Sequence, residues 1–173
     1  FEGSKSKDEK YVMLIDMILS NSQAGLIDID LNQKQQVLRS GSYTNFMRDY
    51  GIHQFYGQPR QGQTLDEVKD LLLGELDKIK NGEFDDWMIE AVINDMRLSE
   101  IRMQESNFSR AFGLVNSFIQ NYPYADALRF SDDLEKITKQ DIMAFAKEKY
   151  TNNYVMVYKR TGENKDLVKV EKP

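Results

Sequence analysis

Apolar residues along this chain recur with two different periods, and the change of period divides it. In DEKYVMLIDMILSNS, Tyr11, Leu14, Ile15 and Ile18 fall three and four positions apart, which gathers them on one face of a helix. A shorter helical pattern runs through AGLIDIDLNQKQQ. The next stretch, VLRSGSYTNFMRDYGIHQFYGQP, is rich in Tyr, Phe, Val and Ile and is interrupted by Gly41 and Gly51. It predicts two strands, about residues 37–49 and 52–58, joined by a tight turn at Tyr50–Gly51. Pro59 ends the second, because proline has no amide hydrogen to give to a ladder.

The Gly- and Gln-rich stretch GQPRQGQTLDEV then raises the question of a phosphate site. It lacks the Gly-Lys-Ser/Thr of a P-loop, and Thr64 with Glu67 forms a capping box that already uses the first-turn donors a phosphate would want. The stretch reads as a joint between strand and helix. Leu65, Val68, Leu72, Leu76 and Ile79 form one apolar stripe on that helix, and Asn81–Gly82 after two lysines is its stop.

The longest helical pattern, FDDWMIEAVINDMRLSEIRMQESN, has two apolar sides. Trp87, Ala91, Leu98 and Ile101 share one; Met88, Val92, Met96 and Met103 share the other. Such a helix is expected to be wedged between the sheet and other helices, its methionines filling core. A further helix, SRAFGLVNSFIQNY, stops at Tyr122–Pro123, and YADALRFSDDLEKI reads as a short helix and loop. TKQDIMAFAKEKY is a second capped helix, Thr138 with Asp141, carrying Ile142, Phe145 and Ala146 on one face. NNYVMVYKR is expected to be a strand and residues 161–173 a polar tail. No repeat or linker interrupts the 173 residues, so a single domain, 1–173, is expected. The fold class is α+β, two-layer, an antiparallel sheet with helices packed on one face.

Composition narrows the chemistry. The formal net charge of −5 argues against a nucleic-acid partner, and no apolar run is long enough for a membrane span. The chain begins at Phe1 and reads as a fragment or processed product. With no cysteine there is no thiol nucleophile or Cys-based zinc site. His53 is the single histidine, so neither His-Glu-x-x-His nor His-x-x-Glu-His is present, and a catalytic zinc needs three protein ligands. No catalytic or metal-binding residue is therefore assigned, and His53 reads as a structural or solvent-facing strand residue. The carboxylate pairs Asp28/Asp30, Asp85/Asp86 and Asp132/Asp133 sit at helix starts or on polar faces, where capping and solvation account for them.

The order of pieces resembles a known family. A helix ending MILSNSQAGLIDIDL and a strand pair lead into GQPRQGQTLDEVKDLLLGELDKIKNGEF; the long helix with ESNFSRAFGL follows, and LEKITKQDIMAFAKEKYTNNYVMVYKR closes it. Together they resemble the non-catalytic domain of the insulinase/pitrilysin family of zinc peptidases, which includes the mitochondrial processing peptidases. The resemblance covers nearly the whole chain and rests on the pattern rather than on a short signature. It implies a processing-peptidase-like metallohydrolase fold whose sister domains close a chamber around a peptide substrate, with zinc held in a catalytic sister domain and none here. It also implies that Phe1-Glu2-Gly3 is the tail of a strand, so the sheet is incomplete in this fragment and has an exposed edge or a partner strand.

In active members, the domain opposite the zinc carries Leu-Arg with a Tyr seven positions after the Arg, both reaching substrate. Laid on that pattern, Leu31 matches, Asn32 stands for the Arg and Arg39 for the Tyr. Asn32 and Arg39 are thus the implied substrate-binding positions, in a domain that has lost a direct part in stabilising the transition state, and Arg39 reads equally as a solvated strand residue; one lost donor of that kind costs on the order of a hundredfold. A structural core subunit without proteolysis, like those of respiratory complexes, and a stand-alone peptide- or protein-binding module are the alternatives. A periplasmic setting follows from the resemblance alone.

Overall fold

The computed structural model describes residues 1–4 and 6–162. Helix α1 (Lys7–Leu19) lies at the centre, with Val12, Leu14, Ile15, Ile18 and Leu19 buried. Each such side chain removed from water contributes about 1.5–3 kcal/mol. A loop of Asn21–Gly25 leads into a π-helix (Ile27–Gln33), where the shorter helical pattern is expected. Ser22 takes a positive φ of 67° in that loop, held by the Asp28 carboxylate, which accepts the Asn21 and Ser22 amides at 2.8 Å each.

Strands β1 (Arg39–Phe46) and β2 (Gly51–Gln58) pair antiparallel, Arg39 opposite Gln58 and Phe46 opposite Gly51. The sheet is α+β in kind as expected, but the turn is not at Tyr50–Gly51. Gly51 is already in the ladder, and residues 47–50 make the connection, closed by the Met47 amide donating to the Tyr50 carbonyl at 2.8 Å. The expected strand limits, 37–49 and 52–58, shift accordingly.

Helix α2 (Leu65–Asn81) starts on the expected capping box and ends on Gly82, in the left-handed region at φ 73°. Its Val68, Leu72, Leu76 and Ile79 are buried against β2 and α7. Gly57 permits this approach: a Cβ there would stand 2.4 Å from Val68 Cγ1. Helices α3 (Asp86–Glu105) and α4 (Asn107–Ile119) are joined through Ser106, followed by the short α5 (Tyr124–Ala127) and α6 (Phe130–Leu134), and then α7 (Lys139–Lys149) on its own capping box. Two short helices thus replace the expected helix and loop.

Two expectations are corrected. Helix α3 is not wedged. Met88, Val92 and Ile93 are buried, whereas Trp87, Leu98 and Ile101 are exposed, because among the described residues no element covers that side; Met103, on the methionine side in the last turn, is exposed as well. The strand expected at NNYVMVYKR has no ladder partner among the described residues, and Val155 and Val157 project into solvent. A strand exists only where another strand answers it, and its alternating pattern alone cannot supply one. The polar tail expected over 161–173 lies outside the described residues from 163 onward.

Candidate functional site

The π-helix and β1 meet through one side chain. Asn32 Nδ2 donates to the Ser40 carbonyl at 2.9 Å, and Oδ1 accepts the Ser40 amide at 2.8 Å and the Ser40 hydroxyl at 3.0 Å. The Asn32 amide therefore takes the place of a neighbouring strand at the outer edge of β1, and Ser40 is buried beneath it. An Arg or Lys could not do this, since neither carries an acceptor.

A lattice of ion pairs fixes the π-helix to α2. Lys78 Nζ lies 2.6 Å from Asp30 and 2.8 Å from Glu75, and Lys34 lies 2.6 Å from Asp30. Burial pushes the Glu75 carboxyl up, and Lys78 only partly offsets this. Burial also pulls Asp30 upward, but hydrogen bonds from Lys34 and Lys78 outweigh it and leave Asp30 lowered. These carboxylates hold structure together rather than offering an acid and a base to solvent.

Arg39 behaves differently from Asn32. It is exposed at the start of β1, with its guanidinium carbon 5.8 Å from the centre of the Tyr56 ring. Gly41, opposite Tyr56, leaves room for the phenol; a Cβ there would lie 2.6 Å from the Tyr56 hydroxyl. Arg39, Tyr43 and Tyr56 thus occupy the solvent face of the sheet, while Ser40 turns the other way toward Asn32. The structure does not bring the Asn32 and Arg39 side chains together on one surface.

The sheet is open on both sides. Ser40 directs its amide and carbonyl outward to Asn32, and in an antiparallel ladder every second residue repeats that direction, so Ser42, Thr44 and Phe46 point backbone groups outward that meet no partner strand among the described residues. On β2 the same parity turns Gly51, His53, Phe55 and Gly57 outward. Phe1 answers Gly51 alone: its ammonium donates to the Gly51 carbonyl and its carbonyl accepts the Gly51 amide, each at 3.0 Å. Beyond Gly51, no backbone partner meets this edge among the described residues. An exposed edge, as expected from the sequence, is present among the described residues.

Beneath the sheet lies a polar cluster that sequence reading did not assemble. His53 has a fully buried side chain; Nδ1 is 2.7 Å from the Tyr150 hydroxyl and Nε2 is 3.0 Å from Asp16 Oδ1. Ser42 donates to the same Asp16 oxygen at 2.6 Å. An ionised Asp16 accepts only, so Nε2 carries the proton and Nδ1 accepts from Tyr150. The aspartate stands between serine and histidine, so His53 cannot take the Ser42 proton, and the group is not a nucleophilic triad. Burial holds the Tyr150 phenol well above its ordinary value, with the Asp16 and Asp8 charges adding to it. The cluster ties β1, β2, α1 and the end of α7 together. A charged Asp16 one residue after buried Ile15, in the otherwise apolar run Tyr11–Leu19 of the helix, was the available signal for it.

A catalytic zinc does not fit these residues. The one imidazole is buried with both nitrogens engaged, and among the described residues no three His, Asp or Glu side chains converge to hold a metal ion. The paired aspartates are spoken for: Asp28 caps the loop, Asp86 meets Lys139 at 3.0 Å, Asp132 meets Arg97 at 3.1 Å, and Asp133 meets Lys10 at 2.6 Å. The Gly-rich joint is likewise closed on itself, with Gln63 bonded to Arg60 and to the Gln36 carbonyl. An open groove of roughly 420 Å³ runs along the uncovered side of α3, between Trp87, Ala91 and Leu98 and the Asn21–Ala24 loop, and a shallower hollow of roughly 400 Å³ lies over Arg60–Gln63 and Glu67.

No protein-family model matches the chain, and comparison with curated proteins finds no match either. Solved structures do match. A protease from Helicobacter pylori superposes with a TM-score of 0.79 at 15% identity, over 87% of this chain and 37% of its own. Complex III2 from Candida albicans, with Inz-5 bound, gives 0.64 at 12% identity, covering 85% of this chain and 37% of that one. The periplasmic protease PqqL from Escherichia coli gives 0.57 at 15% identity, covering 84% and 17%. This chain spans little more than a third of the first two and about a sixth of the third. At these identities the likeness is one of architecture: the chain has the α+β fold found in these proteases.

Proposed function

We propose that this chain is a non-catalytic domain of a zinc-dependent metalloendopeptidase, one wall of the chamber that holds the peptide. The observation that supports this best is the match to the Helicobacter pylori protease over 87% of the chain. The site agrees in kind. An extended peptide is bound by free backbone edges together with side chains flanking them, and here the open edge of β1 lies beside Arg39, Tyr43 and Tyr56. Arg39 is the direct substrate contact in this reading. Asn32 acts through Ser40, by holding the edge strand in place. The zinc, the water it activates and the base belong to a sister domain of the same fold, in the same polypeptide or a partner subunit. A periplasmic location goes with the reading, by analogy with PqqL.

The test is peptide binding followed by fluorescence anisotropy, using extended, unstructured peptides. Arg39→Ala is expected to weaken binding several-fold without changing stability, since its side chain is exposed. Equal affinity in the two proteins would remove Arg39 from the site. The likeness to a respiratory complex, at a TM-score of 0.64, favours a second reading, a structural core-type subunit without proteolysis. Zinc analysis of the sister domain separates the two: a stoichiometric ion is expected for the peptidase and none for the core subunit.

A further inference from the structure

Phe1 does for Gly51 what a neighbouring strand does. The two residues exchange both backbone hydrogen bonds at 3.0 Å, and the Glu2–Tyr50 bridge continues the same antiparallel pairing. Asp8 holds this stretch in place by accepting the Glu2 amide at 3.1 Å. The pairing stops at the Phe1 nitrogen while β2 goes on. His53 shows that the edge beyond is open: its side chain is fully buried, so the surface it still exposes is backbone. A second stretch follows the same course as β2. It leaves Tyr150, whose hydroxyl meets His53 at 2.7 Å and whose ring lies 5.2 Å from that of Phe1. It arrives at Tyr158, whose hydroxyl donates to Asp66 at 2.6 Å in the first turn of α2, close to the Val68 that underlies Gly57. Residues 150–158 thus travel from the Gly51 end of β2 to its Gly57 end. Their exposure alternates as in a strand with one face on the body: Tyr154 48%, Val155 90%, Met156 39%, Val157 85% and Tyr158 36%. Among the described residues no backbone hydrogen bond joins them to β2.

We propose that the space between β2 and Tyr154–Arg160 is a slot for one more strand, antiparallel to β2, and that its occupant is polypeptide joined to the Phe1 nitrogen. Continuity selects that occupant. The Phe1 nitrogen already stands in the ladder, so chain attached to it arrives in register and at high effective concentration, whereas a separate strand would have to end against the Phe1 ammonium. The register follows from the alternation of an antiparallel ladder: about six residues before Phe1 reach Gly57, and every second one meets the backbone of His53, Phe55 and Gly57 in turn. Those alternate residues point their side chains the way Phe1 points its ring, toward Phe145 and Tyr150, so apolar side chains suit them. The residues between lie on the solvent face, with Val155 and Val157. The slot is at the opposite edge of the sheet from the Asn32 clamp on β1, and it does not depend on the chain being a peptidase wall.

The test lengthens the 173-residue chain before Phe1 by Val-Lys-Val-Lys-Val-Lys, which puts valine at the inward positions. Amide exchange followed by NMR should show His53, Phe55 and Gly57 slowed on the order of tenfold or more against the unextended chain, together with alternate amides of Tyr154–Arg160. The reversed order, Lys-Val-Lys-Val-Lys-Val, turns lysine inward and should protect none of them. The first hexapeptide added unlinked and equimolar should protect none either. Exchange that is equal in the extended and unextended chains overturns the proposal. So do amides already slow in the unextended chain, protection of β2 without Tyr154–Arg160, or equal protection by the reversed or the unlinked peptide. Should the extended chain not stay soluble, Val-Glu-Val-Glu-Val-Glu carries the same test.

Discussion

Replacing Asn32 by alanine tests the edge clamp directly. The substitution removes one donor and one acceptor and leaves the Ser40 amide, carbonyl and hydroxyl facing a gap, at a residue only 4% exposed. A buried polar group left without a partner costs about 1–3 kcal/mol. Two backbone groups are orphaned at once, and water reaching part of the gap recovers some of the loss, so we expect about 2–4 kcal/mol. Against a total stability of roughly 5–15 kcal/mol that is a large share. Urea denaturation followed by circular dichroism measures it, and hydrogen exchange locates it: the Ser40 amide should lose protection, while Tyr43 and Asn45, whose bonds run to β2, keep theirs. Asn32→Asp should be similarly costly, because it keeps the acceptor but loses the donor to the carbonyl. A loss under about 0.5 kcal/mol, the scale of ordinary surface substitutions, would refute the clamp.

Other perturbations have definite signs. Gly57→Ala pushes a Cβ into Val68 and Leu72 and should cost about 1–3 kcal/mol by overpacking, read as a fall in the urea midpoint at unchanged slope. Asp133 is held at about 2 by its hydrogen bond to Lys10 and a second to Lys136. A carboxyl lowered from its ordinary 3.8 contributes stability above that value and loses it as pH falls toward about 2. The stability difference between the wild type and Asp133→Asn should therefore shrink over that interval, and a constant difference would contradict it. Tyr150 has the opposite sign: its phenol, raised mainly by burial, stabilises below pH 10.0 and less as pH climbs beyond it. Tyr150→Phe should cost about 1–3 kcal/mol at neutral pH, by leaving His53 Nδ1 without its donor, and should blunt the alkaline loss seen by thermal denaturation.

Local signals in the sequence were reliable wherever one segment carries its own instructions. The boxes Thr64–Glu67 and Thr138–Asp141 start helices where they should, and the stripe from Val68 to Ile79 faces the core. What the sequence could not show depends on partners far along the chain. Tyr154–Arg160 has every local mark of a strand and lacks only a neighbour among the described residues. The two apolar sides of α3 read as a wedged helix because apolar residues usually are core; among the described residues nothing covers the side of Trp87, Leu98 and Ile101. The buried cluster joins Asp16, Ser42, His53 and Tyr150 from four separate elements, and no spacing rule connects these. Asn32 was legible as a position and not as a role. The family pattern marks it, but only the geometry shows its amide holding an edge strand.

Our central proposal is that this chain lines a compartment for peptides while the ion that cuts them is held elsewhere. Calorimetric titration of the 173-residue chain with zinc, run alongside peptide-cleavage assays on the same samples, tests it most directly. The account predicts no tight one-to-one zinc binding and no turnover by the chain on its own. Stoichiometric zinc bound tightly to this chain, with cleavage that a chelator abolishes, would contradict it.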